Sequence, residues 1–183
     1  MYGMVNKAVK GLVLDNFGEE KWKEIYTKAQ APEEFLAFQQ YDDSITYALV
    51  GAATEVLGLP AEKVLFTFGD YWVKNIATKN YSDLMSKTGT DFLAFVKNLD
   101  HMHSRIKVTF PGYNPPSFRV KEVDESNFLL DYYSEREGLM PFVEGLLHGV
   151  AEHFEASITI THVPDDSHPM PAKRMQITHS NKV

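Results

Sequence analysis

Asp91–Phe110, DFLAFVKNLDHMHSRIKVTF, is the stretch whose reading decides the fold. Residues 91–106 have the spacing of one amphipathic helix: Phe92, Phe95, Val96, Leu99 and Ile106 recur at intervals of three and four and share a face. At ~100° per residue, His103 lies about 20° from Phe92, inside the apolar stripe, and His101 lies about 180° away. His103 is therefore expected to face the core and His101 to face water. An imidazole on a rigid helix in apolar surroundings has two uses. It can be a core histidine bonded to backbone, or it can bind a metal or cofactor. The stretch alone leaves both open.

Composition narrows the choice. The chain has 183 residues, 44% of them hydrophobic, enough for one domain or two tightly packed lobes. A net charge of −7 with no Lys/Arg run argues against nucleic acid as a partner. With no cysteine there is no disulfide framework, no Cys-ligated metal, no haem attached through C-x-x-C-H and no thiol nucleophile, so a metal would need His or carboxylate. No run approaches the ~20 apolar residues of a membrane span, and the N-terminus lacks signal-peptide features. A cytoplasmic location is the expectation, since a Cys-free chain suits a reducing compartment.

The pattern before Asp91 is helical. Tyr2–Leu14 reads as a helix with Val5, Ala8, Val9, Leu12 and Val13 inward, ended by Gly18. Glu19–Ala29 is a second, and Pro32 can open a third, short one to Gln40. Asp42, Asp43 and Ser44 offer caps for a helix to Leu57, closed by Gly58 and Pro60. The next runs from Pro60 or Ala61, with Val64, Leu65, Phe68, Trp72 and Ile76 on one face, and Tyr81–Met85 is a short helix or turn. After Phe110 the pattern changes. PGYNPPS is turn chemistry; Phe118–Val123 and Phe128–Tyr133 alternate as a hairpin; Leu139–Phe154 is a helix. Ser157–Val163 and Lys173–His179 are further strands, joined by the polar loop Pro164–Ala172. The expected class is α+β: a helical N-terminal lobe, about residues 1–60, packed on a C-terminal lobe, 61–183, with a four-stranded antiparallel sheet.

If FLLDYYSEREG stays extended, Tyr132, Ser134 and Arg136 share one face. Two hydroxyls and a guanidinium converging there suit a carboxylate, each charge-assisted bond contributing roughly 1.5–3 kcal/mol. The other reading is a solvated strand edge with an Arg–Glu pair. In LMPFVEGLLHGVAEHF, Phe142, Val143, Leu146, Leu147 and Val150 face inward, and Gly145 and Gly149 form a small-x-x-x-small pair that lets something approach the backbone. His148 and His153 read as wet-face residues; His162, His168 and His179 read as surface residues near the last strands. Enzyme signatures are lacking: no G-x-S-x-G, H-E-x-x-H, Walker A or G-x-G-x-x-G.

L-D-H-M-H around His103, the Pro115–Pro116 pair, and Y-x-S-x-R at Tyr132, Ser134 and Arg136, with FGDYW and GLLHG alongside, resemble the H-NOX family of haem nitric oxide/oxygen-binding domains over essentially the full length. The resemblance implies a non-covalent haem b between the lobes. His103 would be its axial iron ligand. Tyr132, Ser134 and Arg136 would hold the propionates, and Pro116 would press on the porphyrin. Met4, Val5, Trp72, Phe142 and Leu146 would be walls, with Gly145 letting its helix approach the macrocycle. Oxygen-binding members carry a distal tyrosine five residues beyond the motif's arginine; here that position is Pro141, which has no donor. The expected ligands are nitric oxide and carbon monoxide, with dioxygen excluded unless Trp72, Tyr2 or Tyr71 supplies a donor. The implied mechanism is weakening of the iron–His103 bond, haem relaxation and a changed surface. Since no cyclase or kinase domain follows the fourth strand, a histidine kinase or cyclic-di-GMP enzyme would read that surface in trans, as in bacterial members of the family. The chain itself is not expected to be an enzyme. The rival readings are a haem-free module binding an apolar ligand and, more remotely, a haem peroxidase.

Overall fold

A computed structural model describes residues 1–110, 112–164 and 173–181. Its elements run α1 (Gly3–Lys28), α2 (Asp43–Leu57), α3 (Ala61–Tyr71), a π-helical turn (Trp72–Ala77), α4 (Thr78–Asn80), α5 (Ser82–Thr88), α6 (Phe92–Lys97) and α7 (Leu99–Thr109). They continue with β1 (Ser117–Glu122), β2 (Asn127–Tyr133), α8 (Met140–His153), β3 (Ala156–Val163) and β4 (Lys173–Asn181). This is the expected α+β class. The elements group into two compact units: Met1–Trp72 with Leu139–Leu146, and Val73–Gly138 with Leu147–Val183. α3 thus belongs with the N-terminal helices, although the sequence assigns it to the second part.

In the first unit, Ala8, Val9, Leu12 and Val13 of α1 are buried, as their spacing predicts. The break read at Gly18 is a kink inside α1, where φ 83° and ψ 176° leave the helical region. α2 begins with the Asp42 carboxylate accepting from Ser44 N and ends at Gly58 in the left-handed region, φ 65°. Buried Thr46 donates to Asn6 Oδ1 at 2.7 Å and ties α2 to α1. The helix expected from Pro32 to Gln40 does not form. α1 has no side-chain cap, so its first N–H groups need acceptors. Gly3 N donates to Gln39 O at 2.8 Å and Met4 N to Ala37 O at 3.0 Å. Those carbonyls are spent outside their own segment, which stays irregular.

α3 and the start of α8 touch backbone to backbone. A Cβ on Gly69 would lie 2.1 Å from Phe142 O, and one on Gly145 would lie 2.0 Å from Phe66 O. The bare side of Gly145 thus faces α3 and allows the two helices to approach. The stripe Val64, Leu65, Phe68 is buried, but the π turn inserts an extra residue and rotates the stripe. Val73 is buried in place of Trp72.

In the second unit the sheet order is β1-β2-β4-β3, antiparallel throughout. Alternation puts Phe118, Phe128, Leu130, Tyr132, Met175 and Ile177 on the buried face. His179 continues that alternation. It is not a surface residue: its ring lies 6.0 Å from Phe92 and 5.7 Å from Phe128, and its Nε2 is buried without a hydrogen-bond partner among the described residues. His162 is exposed, His148 is half-buried, and His168 lies outside the described residues. The helix read over 91–106 is two helices. Asp91 caps α6 by accepting from Ala94 N at 2.8 Å, and Asn98, at φ −95° and ψ 4°, separates α6 from α7.

Candidate functional site

Phe92, Phe95 and Val96 anchor α6 in the core of the second unit, whereas α7 has no buried residue. His103 is consequently half-buried rather than a core residue, and His101 is exposed. Three groups surround the His103 ring. Tyr113 meets it edge-on, centroids 6.0 Å apart at 76°, and Phe118 is tilted at 6.0 Å. Its Nδ1 lies 3.3 Å from Pro116 O, so the N–H belongs on Nδ1 and the carbonyl accepts. Nε2 makes no hydrogen bond among the described residues. Burial holds the His103 pKa below its ordinary value, against the smaller opposing effects of the Pro116 carbonyl and the Asp100 charge. The imidazole is thus neutral near pH 7 with one lone pair available, the form in which histidine ligates a metal.

Asp100, one turn before His103, is the aspartate of L-D-H-M-H, a position to which the sequence alone assigns no role. Its carboxylate accepts from Ser117 Oγ and from Phe118 N, both at 2.7 Å. This clamp fixes α7 to the start of β1 and so holds Pro116 O against the imidazole. The only sequence signal is the acid three residues before His103 and the serine after Pro116, which cannot be paired without the fold.

The Y-x-S-x-R residues converge by another route than extension. β2 stops at Tyr133; the chain then bends, and Ser134 Oγ accepts from Arg136 N at 3.0 Å. Tyr132 is only 4% exposed. Burial pushes its phenol up, against the weaker effects of a hydrogen bond with Ser134 and the Arg136 charge, so it keeps its proton. Arg136 Nη1 donates to Asn114 O at 2.8 Å, and Asn114 Nδ2 donates to Glu135 at 2.8 Å. The motif is thereby tied to the loop that ends at Pro116. Protonated Tyr132, Ser134 and a guanidinium form a donor-bearing cluster whose chemistry suits carboxylates.

The remaining candidates lie in the first unit. Trp72 and Phe142 both pack on Phe68, at 6.5 Å and 4.9 Å. Met4, Val5 and Leu146 are half-buried, as are Trp72 and Phe142. Tyr71, a candidate donor, donates its hydroxyl to Asp15 at 2.7 Å.

A family model described as Haem-NO-binding (HNOB) matches residues 2–162. Soluble guanylate cyclase gcy-31 of Caenorhabditis elegans is 22% identical over 171 residues, covering 93% of this chain and 24% of that protein. Guanylate cyclase soluble subunit beta-2 of Rattus norvegicus is 37% identical over 93 residues, 51% of this chain and 14% of that protein. The chain thus spans a quarter or less of the length of these relatives. An H-NOX protein from S. oneidensis, in its Fe(II) ligation state, superposes with a TM-score of 0.88 at 24% identity, covering 100% of this chain and 98% of that one. One from K. algicida gives 0.85 at 21%, covering 100% and 98%. At these identities the structural likeness establishes the fold.

Proposed function

The chain belongs to the haem-NO-binding family, and on that premise we propose that it is a gas-sensing domain that binds nitric oxide and carbon monoxide and excludes dioxygen. The observation that carries this reading is the placement of the His103 ring, with Nδ1 directed to Pro116 O and Nε2 without a hydrogen bond among the described residues. That nitrogen would hold a ferrous haem b, which when bound would supply the iron chemistry for a diatomic gas. Tyr132, Ser134 and Arg136 would hold its propionates, and Pro116 would stand against the porphyrin. Met4, Val5, Trp72, Phe142 and Leu146 remain the proposed apolar walls.

His103 is the residue through which the chain feels the iron. Its Nδ1–H is bonded to Pro116, and Asp100, on the helix that carries His103, accepts from Ser117 and Phe118 at the head of β1. Displacement of the imidazole is therefore conveyed to the sheet by hydrogen bonds rather than by loose contact. Exclusion of dioxygen is supported by Pro141, which offers no donor where oxygen-binding members carry tyrosine. It is supported again by Tyr71, whose hydroxyl is committed to Asp15. We assign the output to a partner in trans, a histidine kinase or a cyclic-di-GMP enzyme.

The test is the absorption spectrum of the reduced protein, before and after air and then nitric oxide. A Soret band unchanged by air and shifted by nitric oxide is expected. A stable oxy spectrum would overturn the ligand assignment, and no Soret band after haem reconstitution would end the haem reading. His103→Gly with free imidazole is expected to retain haem while separating gas binding from the partner's response.

A further inference from the structure

We propose that Tyr113 is a positioning residue for His103, its ring acting as the wall that keeps the imidazole in one orientation and away from water; this rests on the haem reading above. Tyr113 lies outside every motif of the sequence, in the turn PGYNPPS.

Four observations place it there. Its ring meets the His103 ring edge-on at 6.0 Å and 76°, the geometry in which an aromatic pair is favourable. It is half-buried. Its segment is fixed on both sides: Tyr113 N donates to Phe110 O at 2.9 Å, and Asn114 O accepts from Arg136 at 2.8 Å. Two residues on, Pro116 O takes the His103 Nδ1–H. The loop therefore supplies both the acceptor that sets the ring's tautomer and the wall that limits its rotation. Phe118, on β1, is the second wall. With the Tyr113 ring removed, water can reach Nδ1–H, and the imidazole can turn away from Pro116.

The hydroxyl is not the working part. The contact with His103 is made by the ring. Tyr113→Phe therefore separates ring from hydroxyl, and Tyr113→Ala removes both.

The experiment uses the haem-loaded, reduced protein. Resonance Raman reads the iron–histidine stretch, and added free imidazole reads how readily His103 is displaced. Tyr113→Ala is expected to shift or broaden the stretch and to raise displacement by imidazole roughly three- to tenfold, the equivalent of one aromatic pair. Tyr113→Phe is expected to match the wild type in both. A folded, haem-loaded Tyr113→Ala with an unchanged stretch and unchanged displacement overturns the proposal. So does a Tyr113→Phe variant that behaves like Tyr113→Ala. If Tyr113→Ala does not load haem, Tyr113→Leu, which keeps bulk without a ring, is read by the same two measurements. A wild-type protein with no Soret band would instead remove the haem reading itself.

Discussion

α3 and α8 meet where side chains are missing; α7 and β1 meet where a side chain reaches across. At the first junction Gly69 and Gly145 bring carbonyls to within about 2 Å of where a Cβ would stand. At the second, one carboxylate of Asp100 takes two hydrogen bonds from the head of β1. A backbone contact has no slack, because neither partner can choose another rotamer. A side-chain clamp can be weakened by degrees. The region bearing His103 is of the second kind.

Three measurements sharpen that contrast. Gly69→Ala forces a methyl against Phe142 O and is expected to cost about 3 kcal/mol by overpacking. In thermal unfolding that is a loss of roughly 2–4 °C for each kcal/mol in a chain of this size. A variant with wild-type melting would mean that α3 and α8 can separate freely. Next in size, Asp100→Ala leaves the Ser117 hydroxyl and the Phe118 N–H seeking water, at about 2 kcal/mol. Asp100→Asn, which keeps an acceptor, should lose less; equal losses in denaturant titrations would show that the clamp does not tolerate partial replacement. The smallest change tests whether the first region also uses polar ties. Burial and then the bond to Asp15 push the Tyr71 phenol from 10.0 up to about 12. The folded chain keeps that proton where the unfolded chain gives it up. The contribution is full below pH 10 and is lost as pH rises toward about 12. Tyr71→Phe should cost about 1 kcal/mol near neutrality and flatten this alkaline decline in stability.

The same contrast explains what the sequence disclosed. Elements set by local pattern were legible: α2 from its Asp42 cap and Gly58 stop, the hairpin from alternation, the buried stripe of α1 from its spacing. The Y-x-S-x-R cluster was legible as chemistry, although a bend after Tyr133 and not an extended strand brings it together. Features that depend on a distant acceptor were hidden. The segment before Gln40 looks helical until α1 takes its carbonyls. The break at Asn98 barely disturbs the period, because Asn98 N–H still reaches Ala94 and Phe95 carbonyls. His179 reads as polar and terminal, yet its register beside Ile177 turns it inward. Asp100 and Tyr113 have meaning only once β1 and the Pro116 turn are folded back on α7.

The kink in α1 has a stereochemical consequence. At φ 83° and ψ 176°, Gly18 occupies the mirror image of ordinary extended backbone, and none of the described residues lies within 4 Å of where a Cβ would project. The obstacle to a side chain there is handedness, not room. A chain assembled by chemical ligation with D-alanine at position 18 should therefore fold more stably, by about 0.5–1 kcal/mol, because its unfolded ensemble shrinks while its native backbone is undisturbed. The L enantiomer at the same position should destabilise the protein.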